Sequence, residues 1–130
     1  MIKPQNMKYA IILSFLLTTC NNQSQVPTQN LDDLCQCWKS SYEESYDDEK
    51  IYRPCDYDFP PSRGREGMTF ATKKTFVYDA IAPTDGFTKL KGNWTMEDDI
   101  LTMNYTSPST KTSKFAIISL TKEIMKLKEQ

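Results

Sequence analysis

The residues best equipped for chemistry in this chain are four cysteines (Cys20, Cys35, Cys37 and Cys55), two acidic triplets, and two arginines set among glycines, Arg63 and Arg65. Histidine is absent. A Ser-His-Asp triad, a Cys–His pair and His-ligated zinc are therefore excluded, because each needs an imidazole at its centre. A lone Cys35-Gln36-Cys37 lacks the further ligands that close a tetrahedral metal site, so no metal is expected there. Joining Cys35 to Cys37 would make a very small, strained loop, whereas joining either of them to Cys55 staples the acidic segment between them. The expectation is one disulfide between Cys55 and either Cys35 or Cys37, with one thiol left over. The triplets Asp47-Asp48-Glu49 and Glu97-Asp98-Asp99 do not suit calcium, whose loops alternate oxygen ligands around a glycine while consecutive acids point apart. Nor does their sequence position set the carboxylate separation that a glycosidase requires. They read as solvated loops. No catalytic residue and no cofactor are expected, and the chain reads as a non-enzyme. Arg63 and Arg65 are candidates for anion contact, since Gly64 and Gly67 expose backbone N–H groups and guanidinium forks suit carboxylate or phosphate. The competing expectation is that they pair with acids of residues 43–58 and cap one end of the fold.

The start of the chain explains Cys20. Lys3 and Lys8 precede an apolar run at residues 9–17 with no acid nearby, which is the pattern of a secretory signal. The run is about half of the roughly 20 residues that a membrane-spanning helix needs. Leu17-Thr18-Thr19-Cys20 resembles the lipobox of bacterial lipoproteins. That resemblance implies a signal peptide at residues 1–19, lipid on Cys20 and anchorage to a membrane of the cell envelope, the outer membrane favoured, with secretion if Cys20 is not lipidated. Residues 20–34 read as a tether. Residues 21–30 contain one aliphatic side chain, Val26, and cannot repay the entropy of ordering; Leu31-Asp32-Asp33-Leu34 begins the ordered part as a short turn of helix.

Residues 35–130 form the expected domain. The full chain has 130 residues, with 16 Lys plus Arg against 17 Asp plus Glu. Without residues 1–19 the balance becomes 14 against 17, a net charge of −3. Such a surface does not track phosphates, so nucleic acid is not an expected partner. Charge is unevenly spread: residues 43–58 sum to −5 and residues 59–93 to +3, so the two can neutralise each other.

The periodicity is that of strands. Met68 and Phe70, then Phe76 and Tyr78, alternate with polar or small residues around a loop at 71–74. Pro83-Thr84-Asp85-Gly86 has turn chemistry and separates strands at 75–82 and 88–96. Trp94 and Met96 lead through Glu97-Asp98-Asp99 to Leu101, Met103 and Tyr105; a loop at 107–113 precedes a strand at 115–120, and Met125 and Leu127 face opposite to Lys126 and Lys128. At the front, Trp38, Ser40 and Tyr42 suggest a first strand with an aromatic face. Five or six short strands joined by hairpins indicate an all-β fold, a small antiparallel meander that curls into a barrel or half-barrel. Trp38, Phe70, Phe76, Tyr78, Trp94, Leu101 and Met103 are its expected lining, either packed as core or facing a ligand. Gly92, two residues before Trp94, is expected to let the sheet bend or another chain pass close, with Trp94 filling the barrel's end.

Gly92-Asn93-Trp94, the hairpin into Ile100-Leu101-Thr102-Met103, and the closing Ile117-Ile118-Ser119-Leu120 and Met125-Lys126-Leu127 together resemble the small bacterial lipocalin-like lipoproteins. The likeness covers about residues 38–128 and implies a compact up-and-down barrel behind a lipidated cysteine. The segment 59–67 also looks like one found in a subset of those proteins. The chain thus reads as a monomeric envelope lipoprotein that binds a small apolar ligand or an envelope protein. The competing reading, from another class, is a structural or inhibitor-like interaction protein with a packed core, working through its acidic loop.

Overall fold

Alternation of apolar and polar residues becomes eight strands. The computed structural model describes residues 29–84 and 86–130; the signal segment, Cys20, most of the tether and Asp85 of the expected turn lie outside them. A short helix, α1 (Leu31–Leu34), is capped by Asn30, whose side chain accepts from the Asp32 amide. It is followed by β1 (Cys37–Ser40), β2 (Glu49–Pro54), β3 (Gly67–Phe70), β4 (Thr75–Ala82), β5 (Gly86–Glu97), β6 (Ile100–Ser107), β7 (Lys111–Leu120) and β8 (Met125–Glu129).

The strands close into one antiparallel barrel in the order β1-β2-β8-β7-β6-β5-β4-β3. From β3 to β8 this is the expected meander. The front differs from a simple up-and-down path: β1 sits between β2 and β3, and β2 pairs with β8 to close the barrel. Because β2 and β3 both run antiparallel to β1, residues 55–66 must cross back along the barrel from one end to the other. They do so as a strap outside β1.

Several expectations are corrected here. The strands number eight, and the one the pattern hides is β2. Its inward positions carry Lys50, Tyr52 and Pro54, so only Tyr52 signals a core face, and acids surround it. Tyr42 is not part of an aromatic strand face; β1 ends at Ser40 and Tyr42 is exposed. The loop expected at 107–113 is shorter, since β6 runs to Ser107 and β7 begins at Lys111. A domain boundary after residue 34 cuts through packed structure: Leu34 is 0% exposed, and its carbonyl accepts from the Trp38 indole N–H at 2.9 Å. α1 is a plug for that end of the barrel.

The core is the barrel's interior. Trp38, Phe70, Phe76, Trp94, Leu101 and Met103 pack there with Met68, Ile117, Leu120, Met125 and Leu127 in one buried cluster that also takes in Leu34 of α1, Tyr52 and Tyr105. An eight-stranded barrel has an interior about wide enough for its own side chains, and these fill it. Gly92 makes the packing feasible: a Cβ there would lie 1.9 Å from the Asn104 carbonyl oxygen and 2.9 Å from the Phe76 ring. At this point β5 shifts register against β6, and two residues on Trp94 is 1% exposed with its N–H donating to the Ala71 carbonyl.

Candidate functional site

Inside the barrel, side chains form a continuous aromatic column. Trp94 meets Phe70 edge-on at 6.0 Å, Phe70 lies 6.3 Å from Phe76, Phe76 meets Tyr105 edge-on at 5.0 Å, and Tyr105 meets Tyr78 at 6.4 Å. Such contacts favour perpendicular rings because the positive edge of one faces the negative face of the other. A lysine lies over Trp94 at one end of the column, Lys74, and another, Lys111, over Tyr105 near the other. Of the lining residues expected from the sequence, Trp38, Phe70, Phe76, Trp94, Leu101 and Met103 are buried core, while Tyr78 is half-buried at the end away from α1. Tyr52 and Tyr105 join it there.

At that tyrosine end the Tyr78 hydroxyl donates to the Glu66 carboxylate at 2.5 Å. Burial, then the bond to Glu66, pushes the Tyr78 hydroxyl well above the ordinary phenol range. Burial does the same for Tyr52 and, more mildly, for Tyr105. These phenols stay protonated, and Tyr78 spends its proton on Glu66.

The cysteines and arginines converge on the outer wall instead. Cys37 and Cys55 form a disulfide with Cα atoms 5.5 Å apart, and Cys35 is free. Burial raises the Cys35 thiol, with Asp32 adding to the rise and Lys74 opposing it. The bridge fixes the foot of the strap to β1. Arg65 anchors the other end. Its guanidinium lies over Tyr42 at 4.7 Å and Phe59 at 4.5 Å, forks onto Glu43, and donates to the carbonyls of Ser40 and Pro60. With its side chain 7% exposed, Arg65 has no face left for an external anion. Its own Glu43 is the anion it contacts, and the carboxyl is held below its usual range chiefly by that bond.

Between strap and barrel wall lies a groove of about 600 Å³, lined by Lys39, Phe59, Arg63, Gly67, Phe87 and Lys89 among others. The volume lies within the roughly 300–1,000 Å³ of small-molecule sites. A contiguous recess of about 450 Å³ shares Arg63, Gly64 and Phe87 and reaches Ile81 at the tip of the β4–β5 hairpin. Arg63 thus faces the groove that Arg65 frames. Lys39, Phe59, Phe87 and Lys89 are lining residues that sequence reasoning did not single out. The available signal was a strand position, Gly67, where a packed sheet has no use for glycine.

The acidic triplets sit on hairpins. Asp47, Asp98 and Asp99 have positive φ, and Asp48 and Glu49 pair with Lys128 and Lys126 of β8. Residues 59–93 supply Arg65 to the acidic segment, but Arg53 from within it takes Glu44, and β8 takes Asp48 and Glu49. Among the described residues no cluster of three or more Cys, Asp or Glu is arranged to hold a metal.

A protein-family model described as a lipocalin-like domain matches residues 37–127, from the first strand to the last. No match is found among curated proteins or among solved structures.

Proposed function

This chain belongs to the lipocalin-like domain family, and from that premise we propose that it is a non-enzymatic binding protein of the bacterial cell envelope, held at a membrane by lipid on Cys20. The observation that supports binding is a concave site of small-molecule size on a rigid, internally packed barrel. A frame that does not rearrange loses little entropy when a ligand orders against it. Lipid anchorage is supported by the signal pattern and by Leu17-Thr18-Thr19-Cys20. The alternative, an interaction protein working through its acidic loop, gains less support: Glu43, Glu44, Asp48 and Glu49 are all engaged by basic side chains of the same chain.

Mass spectrometry of the native protein taken from its own membrane tests both parts. The expected result is an acylated Cys20 at the mature N-terminus together with a retained small molecule. An unmodified Cys20 overturns the anchor, and a protein free of small molecules in every preparation overturns the binding role.

A further inference from the structure

We infer that the groove between strap and barrel wall, rather than the lumen, is the ligand site, and that its ligand is a small amphiphilic anion: an apolar body carrying one carboxylate head. The inference rests on the binding role proposed above and gives it a place and a chemistry.

The groove is built into the strand register. Lys39 pairs with Gly67, Gly67 with Asp79, and Asp79 with Lys89, so one outward-facing row crosses four strands with a glycine at its centre. Any side chain at Gly67 would rise from the floor of the groove, and its Cβ would already lie 3.2 Å from the Trp38 carbonyl oxygen. The strap forms the roof. It is fixed at its foot by Cys37–Cys55 and at its far end by the Arg65 guanidinium, while Ser62 accepts from the Gly64 amide between them. These ties hold the groove open without a ligand.

The lining then specifies the occupant. Phe59, Pro60 and Phe87 supply apolar walls, and Phe87 stays 57% exposed because nothing in the described fold covers it. Ile81, its cross-strand partner, is 52% exposed and extends the same apolar strip toward the hairpin tip. Four cations line the groove against one acid, Asp79. Glu43 neutralises Arg65, and Asp79 holds Lys89 at 2.9 Å. Among the described residues, Arg63 and Lys39 have no ion-pair partner, which leaves two positive groups beside an apolar channel. A guanidinium fork matches a carboxylate in geometry, and the lysine adds a second donor. The lumen is the poorer candidate because its own side chains pack it, and its tyrosine end carries the Glu66 carboxylate as well as Lys111, which is already stacked over Tyr105.

The test is an amide chemical-shift titration of the full chain carrying Cys20→Ser, so that no acyl chain competes, with decanoate and with its neutral counterpart 1-decanol. Decanoate should give saturable shifts at Lys39, Gly64, Gly67 and Phe87, and should bind about tenfold or more tightly than decanol, since a charge-assisted bond is lost in the alcohol. Arg63→Gln should weaken decanoate by about tenfold and leave decanol unchanged, whereas Phe87→Ser should weaken both. Shifts confined to Tyr52, Tyr78 and Tyr105 would overturn the groove as the site and leave the binding role standing. No saturable shift, equal affinity for acid and alcohol, or an Arg63→Gln variant that binds decanoate like the parent would overturn the ligand class.

Discussion

Single side chains set the stability of this barrel at identifiable points. Trp94 fills the space beside α1, touches Phe70 and bonds to Ala71, so Trp94→Ala should cost about 3–5 kcal/mol through lost burial and the cavity left behind. A denaturation midpoint within error of the parent would contradict this packing role. Gly92 acts oppositely, through what is missing: Gly92→Ala drives a methyl into the Asn104 carbonyl, a backbone atom that cannot swing away, and should cost about 3 kcal/mol or more. Titration offers a third residue-scale test. Arg53, with help from Ser41, holds the Glu44 carboxyl at about 2, well below its ordinary value. A depressed folded-state value means that the stabilisation is fully present above the unfolded carboxylate range, near about 4.3, and is lost as pH falls toward 2. Glu44→Gln should therefore flatten the acid limb of the stability curve in that window and leave its neutral-to-alkaline part with the same slope. An acid limb as steep as the parent's would show that Glu44 does not carry it.

At the scale of elements, the β5–β6 hairpin turns through Asp98 and Asp99, whose φ values of 49° and 61° place both in the left-handed region. Two such residues make the turn that a right-twisted two-residue hairpin needs, and an Asn-Gly pair adopts it more readily than Asp-Asp. The substitutions Asp98→Asn and Asp99→Gly, made together, should therefore raise stability by about 0.5–1 kcal/mol; a lower melting temperature would refute the turn assignment. The strap is the second element under test. Cys37–Cys55 spans 18 residues of sequence, and chain-entropy models give about 3 kcal/mol for a closed loop of that size. The double variant Cys37→Ser, Cys55→Ser should lose stability of that order and also blur the groove, since the foot of the strap is freed. Thiol labelling of the oxidised parent should find Cys35 slow to react while the domain is folded, because burial disfavours its thiolate.

At the scale of the whole molecule, a closed barrel leaves no long unpaired strand edge, which removes the commonest route to edge-to-edge association. Partners must then meet its outer wall or its ends. The location proposed above rests on the other end of the chain. Two or more acyl chains on Cys20, at about 0.8 kcal/mol per buried CH₂, would hold the protein firmly to a bilayer. Cys20→Ser should accordingly move it from the membrane to the soluble fraction, and equal partitioning of variant and parent would remove the lipid anchor.

The primary structure alone determined the meander of β3 to β8, because each of those strands alternates a buried and a solvated face and turn residues punctuate them. It also marked Gly92, two residues before an inward indole, as a point of close approach, since a glycine there has few other uses in a strand. It narrowed the disulfide to Cys55 and one of two neighbours. Only tertiary structure chose Cys37, whose outward position on β1 meets the start of the strap while Cys35 turns under α1. Only tertiary structure placed β2 next to β8, a pairing between residues far apart in the chain that no local periodicity records. The same is true of the groove. Lys39, Gly67 and Lys89 become one row only when three separate hydrogen-bonded registers bring them together, and Arg63 and Arg65, two residues apart, are separated in role by which of them Glu43 happens to reach.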